Sequence, residues 1–88
     1  MNNTEQFDLG LQAALEATPS LSRRGKRILA ILNAKPSKRR NRQLDRMERH
    51  ARAALGVDKI DWTKINWAGV ITMILEVLLK LLPLILAI

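Results

Sequence analysis

Residues 67–88 read WAGVITMILEVLLKLLPLILAI, and Glu76 and Lys80 are the only charged residues among them. A helix needs about 20 apolar residues to cross the hydrocarbon core of a bilayer, and this segment has that length. A helix that is apolar on nearly every side must be buried, either in lipid or in protein. The way in which this segment is buried therefore determines the architecture of the chain.

A set of small or polar residues in this segment recurs every three or four positions, as the residues on one face of a helix do. They are Gly69, Thr72, Glu76, Lys80, Pro83 and Ala87. Glu76 precedes Lys80 by one turn, which is the order that favours an ion pair. Small and polar residues are typical of contacts between membrane helices. We therefore predict that a helix–helix contact face is formed by Gly69, Thr72, Glu76 and Lys80.

Three environments are open to this segment. It could span a membrane with its polar face against a partner helix, lie in the membrane interface, or be buried in a soluble oligomeric bundle. Its length and apolar content favour the first, since a helix that lies on a membrane has a narrower apolar side. A monomer of 88 residues is expected to be too small to bury the segment, so the soluble alternative also predicts an oligomer.

The segment is preceded by a junction, residues 57–66, in which one short pattern begins twice. Lys-Ile-Asp-Trp ends at Trp62, and Lys-Ile-Asn-Trp ends at Trp67. Tryptophan and lysine are enriched where a membrane helix meets the lipid headgroups. We predict that a membrane interface is formed by Lys59, Trp62, Lys64 and Trp67. Asp61 and Asn66 are both suitable N-caps for the helix that follows.

The charge of the chain is concentrated in one block. Residues 1–22 have a net charge of −3, residues 23–52 of +10 and residues 53–88 of 0, within a total of +7. Such a block is expected to face something anionic. The candidates are anionic lipid headgroups, an acidic protein of a larger assembly, and nucleic acid. The charge could also serve only to hold this side of the chain in the cytoplasm.

Eleven basic side chains of this block are predicted to bind the anionic partner. They are Arg23, Arg24, Lys26, Arg27, Lys38, Arg39, Arg40, Arg42, Arg46, Arg49 and Arg52. The block contains no aromatic residue, so stacking on the bases of single-stranded nucleic acid is not expected.

The remaining apolar residues recur with helical spacing, and no segment shows the alternation typical of strands. The predicted helices cover residues 3–17, 22–34 and 37–55, with Asn3 and Ser37 as N-caps and Gly56 as a stop. The predicted fold is all-α. Two or three short helices form a basic head over residues 1–56, and one long hydrophobic helix, expected to be transmembrane, covers residues 67–88.

The sequence offers no constellation of residues for catalysis. It has no cysteine and a single histidine, His50. It contains no glycine-rich phosphate loop, zinc-ligand spacing or nucleophile motif. We therefore predict no catalytic, cofactor-binding or metal-binding residues, and a protein that is not an enzyme.

The leading hypothesis is a small, single-pass, tail-anchored membrane protein with a cytoplasmic N-terminal head. It would form a homo-oligomer or join a larger assembly, and it would link a bilayer with anionic headgroups to an anionic or acidic structure. A minor membrane protein of a membrane-containing virion has this design. The first alternative is a holin-like or toxin-like pore former. The second is a soluble, oligomeric, helical protein that binds nucleic acid through residues 23–52.

Overall fold

The computed structural model of the protein describes residues 2–87, which form helices joined by short turns and no strand. The helices are α1 (Asn3–Glu16), α2 (Pro19–Arg24), α3 (Lys26–Leu32), α4 (Lys38–Leu55), α5 (Trp67–Lys80) and α6 (Leu82–Leu86). The predicted all-α class is confirmed. Met1 and Ile88, the outermost residues of the predicted head and tail, lie outside the described residues.

The longer helices begin and end at residues that suit those positions. Ser37 accepts a hydrogen bond of 3.0 Å from the Arg40 amide at the start of α4, as predicted. Gly56 ends α4 with a φ of 73°, a conformation that glycine adopts without steric cost. Helix α5 starts after Asn66, one of the two predicted caps. The cap of α1 is Asn2, one residue before the predicted Asn3.

The single helix predicted over residues 22–34 is wrong. The structure divides this region into α2 and α3, which meet at Gly25, and α2 already starts at Pro19. Proline suits the first turn of a helix, where its missing N–H group is not needed. Gly25 lies against α5, since a Cβ atom on it would be 2.9 Å from Leu75 Cδ1. The absence of a side chain at Gly25 therefore lets this part of the chain approach α5 closely.

The continuous helix predicted over residues 67–88 is also wrong. Helix α5 ends at Lys80, and α6 begins at Leu82 after a break at Leu81. Pro83 explains the break, because its nitrogen carries no hydrogen and cannot bond to the carbonyl of Leu79. Residues 2–87 include no helix that combines the length and the apolar character needed to cross a membrane. The structure therefore does not support the predicted transmembrane helix.

One face of α5 and α6 lies in the core of the molecule. Its fully or almost fully buried side chains are Ile71, Ile74, Leu75, Leu78, Leu82 and Ile85. They belong to the same buried cluster as apolar residues of the other helices: Phe7, Leu11, Leu15, Ile28, Leu32, Leu44, Met47 and Ala51. A single chain thus buries one side of this segment, whereas Met73 and Leu84 outside that side stay exposed.

The junction between α4 and α5 folds back onto the core through its tryptophans. The Trp62 ring is 1% exposed, and its centroid lies 4.9 Å from that of Phe7 in an edge-on arrangement. The Trp67 indole donates a hydrogen bond of 3.0 Å to the Trp62 carbonyl. A Cβ atom on Gly10 would be 2.5 Å from the Trp67 ring, so α1 can cross this ring only because residue 10 is glycine.

Candidate anion-binding surface

Four exposed arginines lie along one face of α4, and we call them the arginine stripe. They are Arg39, Arg42, Arg46 and Arg49. Their spacing of three, four and three residues keeps them on the same side of the helix. At 1.5 Å per residue, the stripe is about 15 Å long.

The packing of α4 fixes the direction in which the stripe points. The buried residues of α4 are Gln43, Leu44, Met47, Glu48 and Ala51. They face the core, and the residues between them with helical spacing must face away from it. Hydrophobic burial of one face therefore presents the arginines on the other.

Within the described part of the chain, the stripe is not neutralised by carboxylates. Asp45 precedes Arg49 by one turn, but its carboxylate accepts a hydrogen bond of 2.6 Å from the Thr4 hydroxyl of α1. Within residues 2–87, no carboxylate forms an ion pair with any of the four arginines. The stripe is therefore a line of positive charge that faces solvent.

Two other arginines of α4 have structural partners instead. Arg40 lies 2.9 Å from Asp8 and donates a hydrogen bond of 2.7 Å to the Leu32 carbonyl, and both charged side chains are mostly buried. The pair joins α1 to α4 and to the end of α3. Because its guanidinium is engaged in this way, Arg40 is a poor candidate for binding an external anion.

Arg52 holds the junction against α4. Its Nε lies 2.8 Å from the carboxylate of Glu48, which is 4% exposed. Arg52 also donates a hydrogen bond to the Asp58 carbonyl, and Glu48 accepts one of 3.2 Å from the Trp62 indole. Burial of a carboxylate is tolerated when it is paired and hydrogen-bonded in this way. Arg52 is thus also a structural residue.

The remaining predicted anion-binding residues are on the surface outside the stripe. They are Arg23, Arg24, Lys26, Arg27 and Lys38, all exposed. Arg24 lies 3.8 Å from Glu76, and both side chains are about half exposed, so solvent weakens their interaction. Lys35 was not among the predicted site residues, although it belongs to the basic block and is also exposed, between α3 and α4.

The end of α6 borders the arginine stripe. Arg46 Nη1 donates a hydrogen bond of 3.3 Å to the Leu84 carbonyl, and Leu84 is 55% exposed. Leu84 was not among the predicted site residues, because a single leucine in an apolar run carries no signal of its own. Its position beside Arg46 depends on the break before α6.

The predicted membrane-interface residues lie in different environments. Lys59 and Lys64 are exposed, and Trp67 is half-buried. Trp62 is a correction to the prediction, because its ring is enclosed by protein and has no surface to offer lipid headgroups. The Lys–Trp pattern thus marks a turn whose aromatic residues pack inward.

The predicted helix–helix face is the solvent-exposed side of α5. Gly69, Thr72, Glu76 and Lys80 are all exposed. The expected ion pair between Glu76 and Lys80 is replaced by the contact of Glu76 with Arg24. These four residues thus face solvent, and their contact with another described helix is the one between Glu76 and Arg24. The predicted helix–helix contact stays a prediction.

Hydrogen bonds from the Thr63 hydroxyl and amide hold the pKa of Asp61 below its ordinary value of 3.8. No group of three or more histidine, aspartate and glutamate side chains in residues 2–87 is arranged to hold a metal ion. Comparison of the chain with protein-family models, with curated proteins and with solved structures gives no match. The geometry of the surface is therefore the basis for a functional proposal.

Proposed function

We propose that the protein binds a phosphate-rich, polyanionic surface through the arginine stripe of α4. The observation that carries this proposal is the set of four exposed arginines on one helix face with no ion-pair partner among the described residues. Unpaired arginines in such a line repel one another, which costs stability unless an anion lies across them. An external anion is the partner that suits them.

Arginine suits phosphate because its planar guanidinium offers two parallel N–H donors to two oxygens of one group. A helix that packs against a core also holds its side chains in a fixed register, so less conformational entropy is lost on binding. The contacts are made to phosphate rather than to any base or acyl chain. The proposal therefore concerns affinity for a charged surface and not recognition of a sequence.

The membrane-anchored adaptor, its place in a virion and the pore former remain predictions without structural support. Both the anchor and the pore need a helix that spans a bilayer, and residues 2–87 contain none. The arginine stripe does not depend on such a helix. For this reason we prefer the surface-binding function to these hypotheses.

Salt titration of binding to a duplex DNA probe tests the proposal, because the charge density of DNA is known. If four arginines each neutralise one phosphate, the logarithm of the binding constant falls with the logarithm of salt concentration with a slope of about −3.6. The triple variant Arg42→Gln, Arg46→Gln, Arg49→Gln is expected to bring this slope to about −1. Fluorescence anisotropy with a labelled duplex measures both values.

A matched control removes the same charge elsewhere. The variant Lys59→Gln, Lys64→Gln, Lys80→Gln loses three exposed cations that lie outside the basic block. It should retain the slope of the unmodified protein within experimental error. If both triple variants showed the same decrease in the steepness of the slope, net charge, and not the stripe, would govern binding.

A further inference from the structure

We infer that the anionic partner of the arginine stripe is the surface of a lipid bilayer, and that the outer edge of α6 enters its headgroup region. This inference rests on the proposed function. We define the α6 edge as Pro83, Leu84 and Ala87, which are all exposed. Membrane attachment of this kind is peripheral and requires no spanning helix.

Positive charge and exposed apolar surface lie next to each other at the α6 edge. The hydrogen bond from Arg46 Nη1 to the Leu84 carbonyl places a cationic side chain of the stripe directly beside the α6 edge. Leu84 itself is more than half exposed. Cations beside exposed apolar side chains are the combination that binds anionic membrane surfaces, since lipid phosphates attract the cations and the upper acyl region accepts the apolar groups.

The exposed apolar surface beside the arginine stripe is small. The large hydrophobic side chains that the described chain exposes are Leu9, Val57, Met73 and Leu84, and of these Leu84 borders the stripe. A stable protein–protein interface buries about 800 Å² on each partner, far more than one leucine and two small residues provide. A bilayer needs no such area, because the electrostatic attraction adds to a shallow apolar insertion.

Duplex DNA would leave the α6 edge unused. Its backbone offers phosphates to the arginines but no apolar environment for Leu84. The stripe alone thus predicts binding to any phosphate surface, and the α6 edge distinguishes a bilayer from nucleic acid. The two features can be tested by separate substitutions.

Sedimentation with phosphatidylcholine vesicles, with and without phosphatidylserine, tests the inference on the full chain. Leu84→Asn is expected to lower partitioning onto vesicles that contain phosphatidylserine about five- to tenfold, since less apolar surface leaves water. Its affinity for the duplex DNA probe should stay within about twofold. Leu9→Asn is the matched control, because Leu9 is 53% exposed on α1, and it should leave both affinities unchanged.

The outcomes separate this inference from the proposed function. If the stripe variant loses affinity for DNA but the unmodified protein binds no vesicles, the bilayer is the wrong partner and the phosphate-binding function stands. If vesicle binding is equally sensitive to Leu84→Asn and Leu9→Asn, the α6 edge does not enter the membrane. Binding to neither probe overturns both proposals. Circular dichroism of each variant verifies that it is folded.

Discussion

Helices α4 and α5 pack against each other although their sequences differ sharply in charge and hydropathy. Helix α4 carries seven of the fifteen lysines and arginines of the chain, whereas α5 carries only two charged residues. Both bury one face in the same core, α4 through residues such as Leu44 and Met47 and α5 through residues such as Ile74 and Leu75. Packing thus depends on the spacing of the apolar residues and not on the overall hydropathy of a helix.

The outer faces of the two helices differ, and the difference teaches where function should be sought. The outer face of α5 has small residues and two opposite charges, Glu76 and Lys80, so its net charge is zero. The outer face of α4 carries the arginine stripe, which forms no ion pair within residues 2–87. The helix that dominates the hydropathy of the sequence therefore provides core, whereas the polar helix provides the candidate binding surface.

The largest expected effect concerns the shared core. Leu75→Ala in α5 and Met47→Ala in α4 both truncate side chains that are 0% exposed. Each should lower the free energy of unfolding by about 2–5 kcal/mol, from lost burial and the cavity left behind. Urea denaturation measures the free energy of unfolding of both variants. The control is Thr72→Ala on the exposed face of α5, whose free energy of unfolding should stay within about 0.5 kcal/mol of that of the unmodified protein. If only Met47→Ala lowered the free energy of unfolding, α5 would not share the core with α4.

A second effect separates structural arginines from those of the stripe. Arg40→Ala should cost about 2 kcal/mol of unfolding free energy, because it leaves the mostly buried Asp8 carboxylate without its cation. Arg42→Ala, two residues along α4 and exposed, should change stability by less than about 0.5 kcal/mol. A double-mutant cycle with Asp8→Ala isolates the pair, and a coupling energy near zero would show that Arg40 belongs with the stripe.

A third and smaller effect tests the outer face of α5. Glu76→Gln and Lys80→Gln should each change the free energy of unfolding by less than about 0.5 kcal/mol, because both residues are exposed. Light scattering after size exclusion should give the same molar mass for each variant and for the unmodified protein. A change in mass would instead support the predicted helix–helix contact face.

The smallest effect lies in the junction between the two helices. The pKa of Asp61 is lowered by the hydrogen bonds from Thr63, so the ionised form stabilises the folded state. This contribution is present above the unfolded pKa of Asp61 and is lost as the pH falls through the lower folded pKa. Titration followed by NMR should give a pKa of Asp61 below 3.8, and Thr63→Ala should raise this pKa. An unchanged pKa in that variant would remove these hydrogen bonds as the cause.

Much of the helical pattern follows from local signals. Ser37, Gly56 and Asn66 act through hydrogen bonds or backbone conformations that involve residues a few positions away, and such signals can be identified in a sequence. At Gly25 the local signal is only the glycine itself, which weakens a helix, whereas the close approach to Leu75, 50 residues away, cannot be predicted from neighbouring residues. The break before α6 does have one, Pro83, because a proline removes a helical hydrogen bond wherever it stands in the chain.

The candidate site was predicted in part. The concentration of charge within residues 23–52 is a property of the sequence, and so is the spacing of the arginines along α4. The division of these arginines into structural and exposed ones cannot be predicted from the sequence. Arg40 is paired with Asp8, which lies in a helix far away in the sequence. The neighbourhood of Arg46 and Leu84 likewise joins residues 38 positions apart.

By itself, the sequence determined the helical class, most helix ends, the face of α5 that is not core and the location of the positive charge, because each depends on residues within a few turns of one another. The tertiary structure alone decided that the apolar segment is buried against α1 and α4, that Trp62 is core, and that the arginine stripe lies beside α6 with no ion pair among the described residues. These outcomes depend on contacts between distant segments. Apolar periodicity specifies that a surface is buried but not which surface covers it.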